Sequence, residues 1–142
     1  MADDQISDFA RSMGIAASGL RAQAGRMRVI SENIANAEST APTAAGDPYR
    51  RKIPTFVAAL DRALDTKVVA LGRVRTDTTA FRMKYEPGNP AADAGGNVKY
   101  PNVNPLVEMT DMREAQRSYE ANLNIITATR RMVQRTLDIL KG

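Results

Sequence analysis

The stretch NPLVEMTDMREAQRSYEANLNIITATRRMVQRTLDIL, from Asn104 to Leu140, decides the architecture of this chain. Asn104 is suited to accept hydrogen bonds from the free N–H groups of a first helical turn. Pro105 has the fixed φ and the missing N–H that fit the first helical position. No Pro or Gly follows before Gly142, so nothing interrupts a helix of about 36 residues, roughly 54 Å long at 1.5 Å per residue. Counting by alternate threes and fours from Met109 gives Met112, Gln116, Tyr119, Leu123, Ile126, Arg130, Val133, Leu137 and Leu140, and eight of these ten positions are apolar. A period of 3.5 held this long is the pattern of a coiled-coil seam, whereas a single globular helix drifts toward 3.6 and shows a wider apolar face.

A second stripe lies at the other end of the chain. From Ser7 to Asn36 there is no Pro, and Met13, Leu20, Met27 and Ile34 stand one heptad apart with Ala16, Ala17, Ala24 and Ile30 beside them. Ser7 is read as the cap of this helix and Asp8 as a match for its positive end. The small, polar run from Asn36 to Gly46, with Pro42, ends it. Five of the seven prolines fall between Asp47 and Val103, among short runs of β character at Lys52 to Val57, Lys67 to Arg75, Ala80 to Tyr85 and Asn97 to Tyr100. A small β insertion is the reading, with a short helix over Val57 to Leu64 as the alternative. Pro87 to Pro90 and Gly95 to Asn97 read as turns. The predicted fold is therefore α+β: a discontinuous helical coiled-coil domain from residues 1–46 and 101–142, carrying a small β-rich insertion at 47–100.

Composition narrows the function. Without His or Cys, the chain lacks the commonest general base, the thiol nucleophile and the usual transition-metal ligands, so no catalytic residue, cofactor or metal site is expected. The carboxylates Asp61, Asp65, Asp77, Glu86 and Asp93 are scattered and form no recognisable pair, which leaves a cell-wall hydrolase as a minor rival. Twenty basic against sixteen acidic residues leave +4, a charge that an ordinary solvated surface carries. Arg50, Arg51, Lys52, Arg73, Arg75, Arg82 and Lys84 make the insertion basic and read as a solvated face. A basic coiled-coil regulator that binds nucleic acid is the alternative, but no aromatic residues alternate with these charges and no DNA-binding signature is present, so no nucleic-acid partner is expected. No stretch approaches the roughly 20 apolar residues of a membrane span, so no direct membrane insertion is expected. The polar start, Met1 to Gln5, does not read as a Sec signal.

Two paired helices make a thin core, and side chains flanking the seam need a further layer to cover them. The stripes serve either as the core of an antiparallel hairpin or as packing between subunits, and periodicity leaves both open. A free monomer with such stripes is expected to be partly disordered at its ends. Candidate interface residues are Met13, Leu20, Met27, Ile30, Asn33, Ile34 and Asn36 in the first helix, and Met109, Met112, Tyr119, Leu123, Ile126, Val133, Leu137 and Leu140 in the second. Asn33 and Asn36 suit either a cap or a hydrogen bond to a neighbouring subunit's backbone. Gln116 and Arg130 interrupt the seam, where they either fix its register or turn to solvent or to a channel. Glu114 with Arg117 and Arg135 with Asp138 read as exposed pairs.

Gly19-Leu20-Arg21-Ala22-Gln23 and the run Arg26-Met27-Arg28-Val29-Ile30-Ser31-Glu32-Asn33-Ile34-Ala35-Asn36-Ala37-Glu38-Ser39 resemble the N-terminal signature of flagellar rod and hook proteins. The likeness runs on through Pro48 to Lys52, Phe81-Arg82, Tyr85 to Asp93, Pro101 to Pro105, Glu108 to Met112 and Arg117 to Asn122, and is strongest to the proximal-rod members of that family. Glu86 and Asn89 depart from it, where relatives more often show Asp and His, as does Asn97, where an aromatic is common. The resemblance implies a structural, torque-bearing subunit of the periplasm-spanning rod in the flagellar basal body, with helices around a central channel and the insertion turned outwards. It implies as partners other copies of itself, other rod subunits, a rod-base adaptor and the MS-ring region. It also implies delivery by the flagellar type III export apparatus without a cleaved Sec signal.

Overall fold

The two uninterrupted helical sequences form α1 (Ala2–Ala35) and α2 (Pro105–Lys141), and six short strands lie between them: β1 (Lys52–Ile53), β2 (Phe56–Asp61), β3 (Thr66–Leu71), β4 (Arg75–Thr76), β5 (Arg82–Tyr85) and β6 (Asn97–Tyr100). The computed structural model describes residues 2–44 and 46–142. The predicted α+β class holds. Asn104 caps α2 as expected, its Oδ1 accepting from Leu106 N–H at 3.1 Å and its carbonyl from Glu108 N–H at 3.1 Å. The expected cap at Ser7 does not form. The helix has already begun at Ala2, with Asp4 favouring its positive end, and the Ser7 hydroxyl donates back to the Asp4 carbonyl at 3.0 Å. At the far end Asn36 closes α1, its backbone and side-chain N–H groups both donating to the Glu32 carbonyl at 3.1 and 2.9 Å.

The chain divides into two compact units, each containing part of both helices. The first comprises Met1–Arg26, Thr55–Arg73 and Glu114–Gly142. Its hairpin pairs β2 with β3 antiparallel from Phe56↔Leu71 to Asp61↔Thr66, so of the stretch 57–64 residues 57–61 are strand and 62–64 lie in the turn, with no short helix. Asp61 Oδ1 accepts from Ala63 and Leu64 N–H at 2.9 and 3.2 Å, and Asp65 takes the left-handed conformation that Asp tolerates, with φ 45°. The hairpin is tied to α1 where α1 is smallest. Leu64 covers Gly14, Leu71 covers Gly25, Val69 N–H donates to the buried Ser18 hydroxyl at 3.2 Å, and Arg11 Nε donates to the Leu64 carbonyl at 3.2 Å. The two helical segments run antiparallel, since Gly19 abuts the Asn122 amide while Arg26 meets Glu114 at 3.5 Å.

The second unit comprises Met27–Pro54 and Val74–Arg113. Here β1 pairs with β4, and β5 with β6 from Arg82↔Tyr100 to Tyr85↔Asn97. Ala91, Val98 and Tyr100 form its small core with Ala92, while Ile30, Pro101 and Val103 are also buried. The loop before β6 is built by side-chain acceptors: Asp93 Oδ1 takes the N–H groups of Gly95 and Asn97, both at 2.9 Å. Gly96 has φ 80°, and a Cβ there would stand 2.8 Å from the Tyr85 ring and 3.1 Å from Pro87. Gly96→Ala is therefore expected to destabilise the chain by about 1–3 kcal/mol in urea unfolding, from the left-handed backbone and the crowding together.

Candidate functional site

A coiled-coil reading of α2 fixes a period, and the structure shows which phase of that period faces inward. Half-buried or buried positions recur at Glu108, Met112, Ala115, Tyr119, Asn122, Ile126, Thr129, Val133 and Thr136, alternating steps of four and three. Four of the sequence-predicted seam residues, Met112, Tyr119, Ile126 and Val133, lie in this inner face. The others, Met109, Leu123, Leu137 and Leu140, are exposed, as are Gln116 and Arg130. Their inward places are taken by Ala115, Asn122 and Thr129; Asn122 lies against Gly19 of α1, an approach with no room for a Cβ on the glycine.

At 100° per residue the exposed apolar residues of α2 fall on both flanks of the buried face. Met109, Leu123 and Leu137 lie on one side. On the other side Ile125, Met132 and Ile139 recur every seven residues, 48, 52 and 80 % exposed. This second ridge escaped the sequence reading, which followed a single frame; a count starting from Ile125 contains the signal. Monomeric proteins rarely expose apolar ridges of this length, and those that do use them for contact.

On α1, Met13, Leu20, Met27 and Ile34 are half-buried and Ile30 is buried. Asn33 is 0 % exposed and fully engaged within its own chain. Its Oδ1 accepts from Tyr49 Oη at 2.7 Å and Lys52 N–H at 2.9 Å, and its Nδ2 donates to the Lys52 carbonyl at 2.8 Å and Glu108 Oε2 at 3.1 Å. Neither a cap nor a free amide results. Asn36, half-buried, acts at the helix end.

Glu108, also 0 % exposed, receives Arg51 Nε on its other oxygen at 2.5 Å. The remaining guanidinium nitrogens of Arg51 face Asp77 at 3.6 Å and Asp111 at 3.7 Å. Burial alone lowers the affinity of Arg51 for its proton, but the hydrogen bond and charge of Glu108, with Asp77 and Asp111, outweigh it and raise its pKa. Asp77 is held below the usual carboxylate range, first by hydrogen bonds from Thr79 and then by Arg51. Burial pushes the Tyr49 phenol up to about 12, helped by the charges of Glu32 and Glu108. Because its folded pKa exceeds the ordinary value of 10, the neutral phenol is the form the fold favours. The stability it contributes is fully present below pH 10 and is lost as pH rises through about 12. Tyr49→Phe is expected to flatten that alkaline loss in a denaturation series from pH 9 to 12, while costing about 1 kcal/mol at neutral pH for the missing hydrogen bond.

Most of the basic residues of the insertion meet partners within the chain, on a face that stays in contact with solvent. Arg50 stacks over Phe81 at 4.0 Å, Lys52 pairs with Glu32, and Arg82 and Lys84 meet Glu38 at 3.0 and 3.2 Å. Those two hydrogen bonds, Arg82 first, hold the Glu38 carboxyl low. Five of the seven basic residues thus have partners within the chain, while Lys84, Arg73 and Arg75 are exposed; with most of its cations paired, the array does not present a continuous set of phosphate contacts and the nucleic-acid reading gains no support. Two predicted surface pairs are also replaced: Glu114 meets Arg26, and Asp138 accepts from Gln134 at 3.1 Å. The departures Glu86 and Asn89 touch each other at 3.1 Å, and Glu86 also accepts from Tyr100 Oη at 3.0 Å.

Residues 13–41 match the flagella basal body rod protein family, and residues 94–139 match the C-terminal family of flagellar basal body rod FlgEFG proteins. The flagellar basal-body rod protein FlgC of Agrobacterium fabrum is 54% identical over 128 residues, covering 90% of this chain and 92% of that protein. The FlgC proteins of Aquifex aeolicus and Salmonella typhimurium are 37% and 40% identical, covering 96% and 88% of this chain and 100% and 92% of their own lengths. With a relative more than half identical along nine-tenths of its length, and with rod-family matches on both long helices, the chain belongs to the FlgC family of flagellar basal-body rod proteins.

Proposed function

We propose that this structural rod subunit polymerises through the two apolar flanks of α2, with Met109, Leu123 and Leu137 meeting one neighbour and Ile125, Met132 and Ile139 another, and with the exposed Leu140 covered at the end of the helix. The observation that carries this reading is that nine large apolar side chains of α2 are exposed in the single chain. Covering a half-exposed side chain of this size gains about 1–2 kcal/mol, while association costs about 4–15 kcal/mol. One neighbour is then marginal and several are sufficient, which suits a lattice that forms only cooperatively.

In this reading residues 1–46 and 101–142 form the assembly domain and 47–100 an outward-facing insertion of the proximal rod. The helices surround a channel, and many weak contacts in parallel carry torque across the periplasm. The remaining predicted α1 residues, Met13, Leu20, Met27, Ile30 and Ile34, with Asn33 and Asn36, set the pairing on which the ridges are displayed. Partners are further copies of the chain, other rod subunits, a rod-base adaptor with the MS-ring region, and the type III export apparatus that delivers the chain without cleaving a Sec signal.

The subunit is non-enzymatic. Supporting this, four of the five carboxylates a hydrolase would draw on have structural partners: Asp61 and Asp93 hold turns, Asp77 holds Arg51 and Thr79, and Glu86 holds Asn89 and Tyr100. Cryo-electron microscopy of basal bodies from the native organism tests the reading. Density in the proximal rod is expected to accept this sequence with both α2 flanks covered; complete rods lacking the chain would refute it.

A further inference from the structure

The bonding phase of the β2–β3 hairpin is fixed at its open end, where Gly72 N–H donates to the Thr55 carbonyl at 2.7 Å. In an antiparallel ladder bonded and non-bonded pairs alternate. Val57, Ala59 and Asp61 therefore turn their backbone groups toward β3, while Phe56, Ala58 and Leu60 turn theirs away from it. The same alternation turns Val69 outward on β3, and there its N–H meets the Ser18 hydroxyl of α1 at 3.2 Å. The far edge has no such cover. β2 pairs with β3 alone, and among the described residues no group is bonded to the outward N–H and C=O of Phe56, Ala58 or Leu60.

Open edges are ordinarily blunted by a Lys, a Pro or a bulge, and β5 and β6 carry Arg82, Lys84 and Lys99. The stretch Phe56 to Leu60 has neither charge nor Pro, and Phe56, Val57, Ala58 and Leu60 are exposed. It also complements itself. Laid antiparallel about Ala58, two copies of β2 set Phe56 opposite Leu60, Val57 opposite Ala59 and Ala58 opposite its own counterpart. The three outward N–H and three outward C=O groups of each strand are then bonded together. Beyond them Thr55 faces Asp61 and Pro54 faces Arg62, so no like charges stand opposite each other. The product is one four-stranded sheet in place of two hairpins, each marginal by itself.

We infer that the outer edge of β2 docks the same edge of a second copy of this chain, antiparallel, with Ala58 on the two-fold axis. Such an isologous contact closes at two copies, so it holds the unassembled chain as a dimer, separate from the α2 flanks that polymerisation uses. Sedimentation equilibrium of the full chain tests it, in wild type and in a Leu123→Asp background that removes a flank contact. Dimers are expected in both. Ala58→Lys and Ala58→Glu each set like charges against one another at the axis and are expected to weaken dimerisation about ten-fold or more. An equimolar mixture of the two should dimerise at least as tightly as wild type. The chain contains no Cys, so Ala58→Cys alone should oxidise to a disulfide dimer, whereas Phe56→Cys should cross-link to Leu60→Cys in preference to itself. A monomer at every soluble concentration, a dimer lost in the Leu123→Asp background, or a dimer that neither charge variant weakens would overturn the pairing and leave the rod assignment standing. So would a dimer in which Ala58→Cys forms no disulfide, a result that does not depend on how the charge variants fold.

Discussion

Leu123→Asp is expected to leave the free chain folded and to remove it from the rod. Leu123 is 46 % exposed on the outer flank of α2, so a carboxylate there stays in water in the monomer and costs the helix only a few tenths of a kcal/mol in propensity. In an assembled lattice the same charge would be buried without a partner, at several kcal/mol, which exceeds what one ridge contributes. Motility should fall to zero, with wild-type far-UV circular dichroism of the purified chain and none of it in basal bodies. Ile126→Asp gives the contrast, because Ile126 lies in the inner face and its loss should lower helix content as well. Normal motility with Leu123→Asp present in basal bodies would overturn the assignment of this flank.

Arg51→Met is expected to produce the largest loss of intrinsic stability, about 3–5 kcal/mol in urea unfolding, since it strands the fully buried Glu108 carboxylate beside Asn33. Pairing it with Glu108→Leu should recover most of that loss, because the penalty arises from an uncompensated charge and not from the missing contact itself. A double variant as unstable as the single one would show that the network is needed for its hydrogen bonds to the backbone of Lys52, which run through Asn33. Either result separates folding from assembly, since Leu123 and Arg51 lie in different units of the chain.

The family membership also explains why so much was visible early. The signature residues Asn33, Arg51 and Glu108, which read as a motif along the chain, meet in one buried hydrogen-bonded cluster. Their spacing in sequence, across 75 residues between Asn33 and Glu108, carries no trace of that contact. Glu108 looks like an ordinary acid in the first turn of a helix, and it is one; only the arrival of Arg51 and Asn33 makes it a buried ion.

The sequence by itself determined both helices, the capped start of α2, the β character of the insertion and the α+β class, because these depend on local signals: the 3.5 period, Asn-Pro, the turn residues and the lack of breakers. It also determined that α2 carries a long apolar stripe, without deciding whether that stripe packs within the chain or between subunits. Tertiary structure decided which phase of that stripe is spent inside the chain and which is left over. A heptad pattern fixes spacing without fixing a partner, and the inner face includes Ala115, Asn122 and Thr129, with Asn122 packed against Gly19 of α1. Tertiary structure likewise gave most cations of the basic insertion a partner in the same chain, since charge in a sequence states what is present and only the fold states which carboxylate stands opposite.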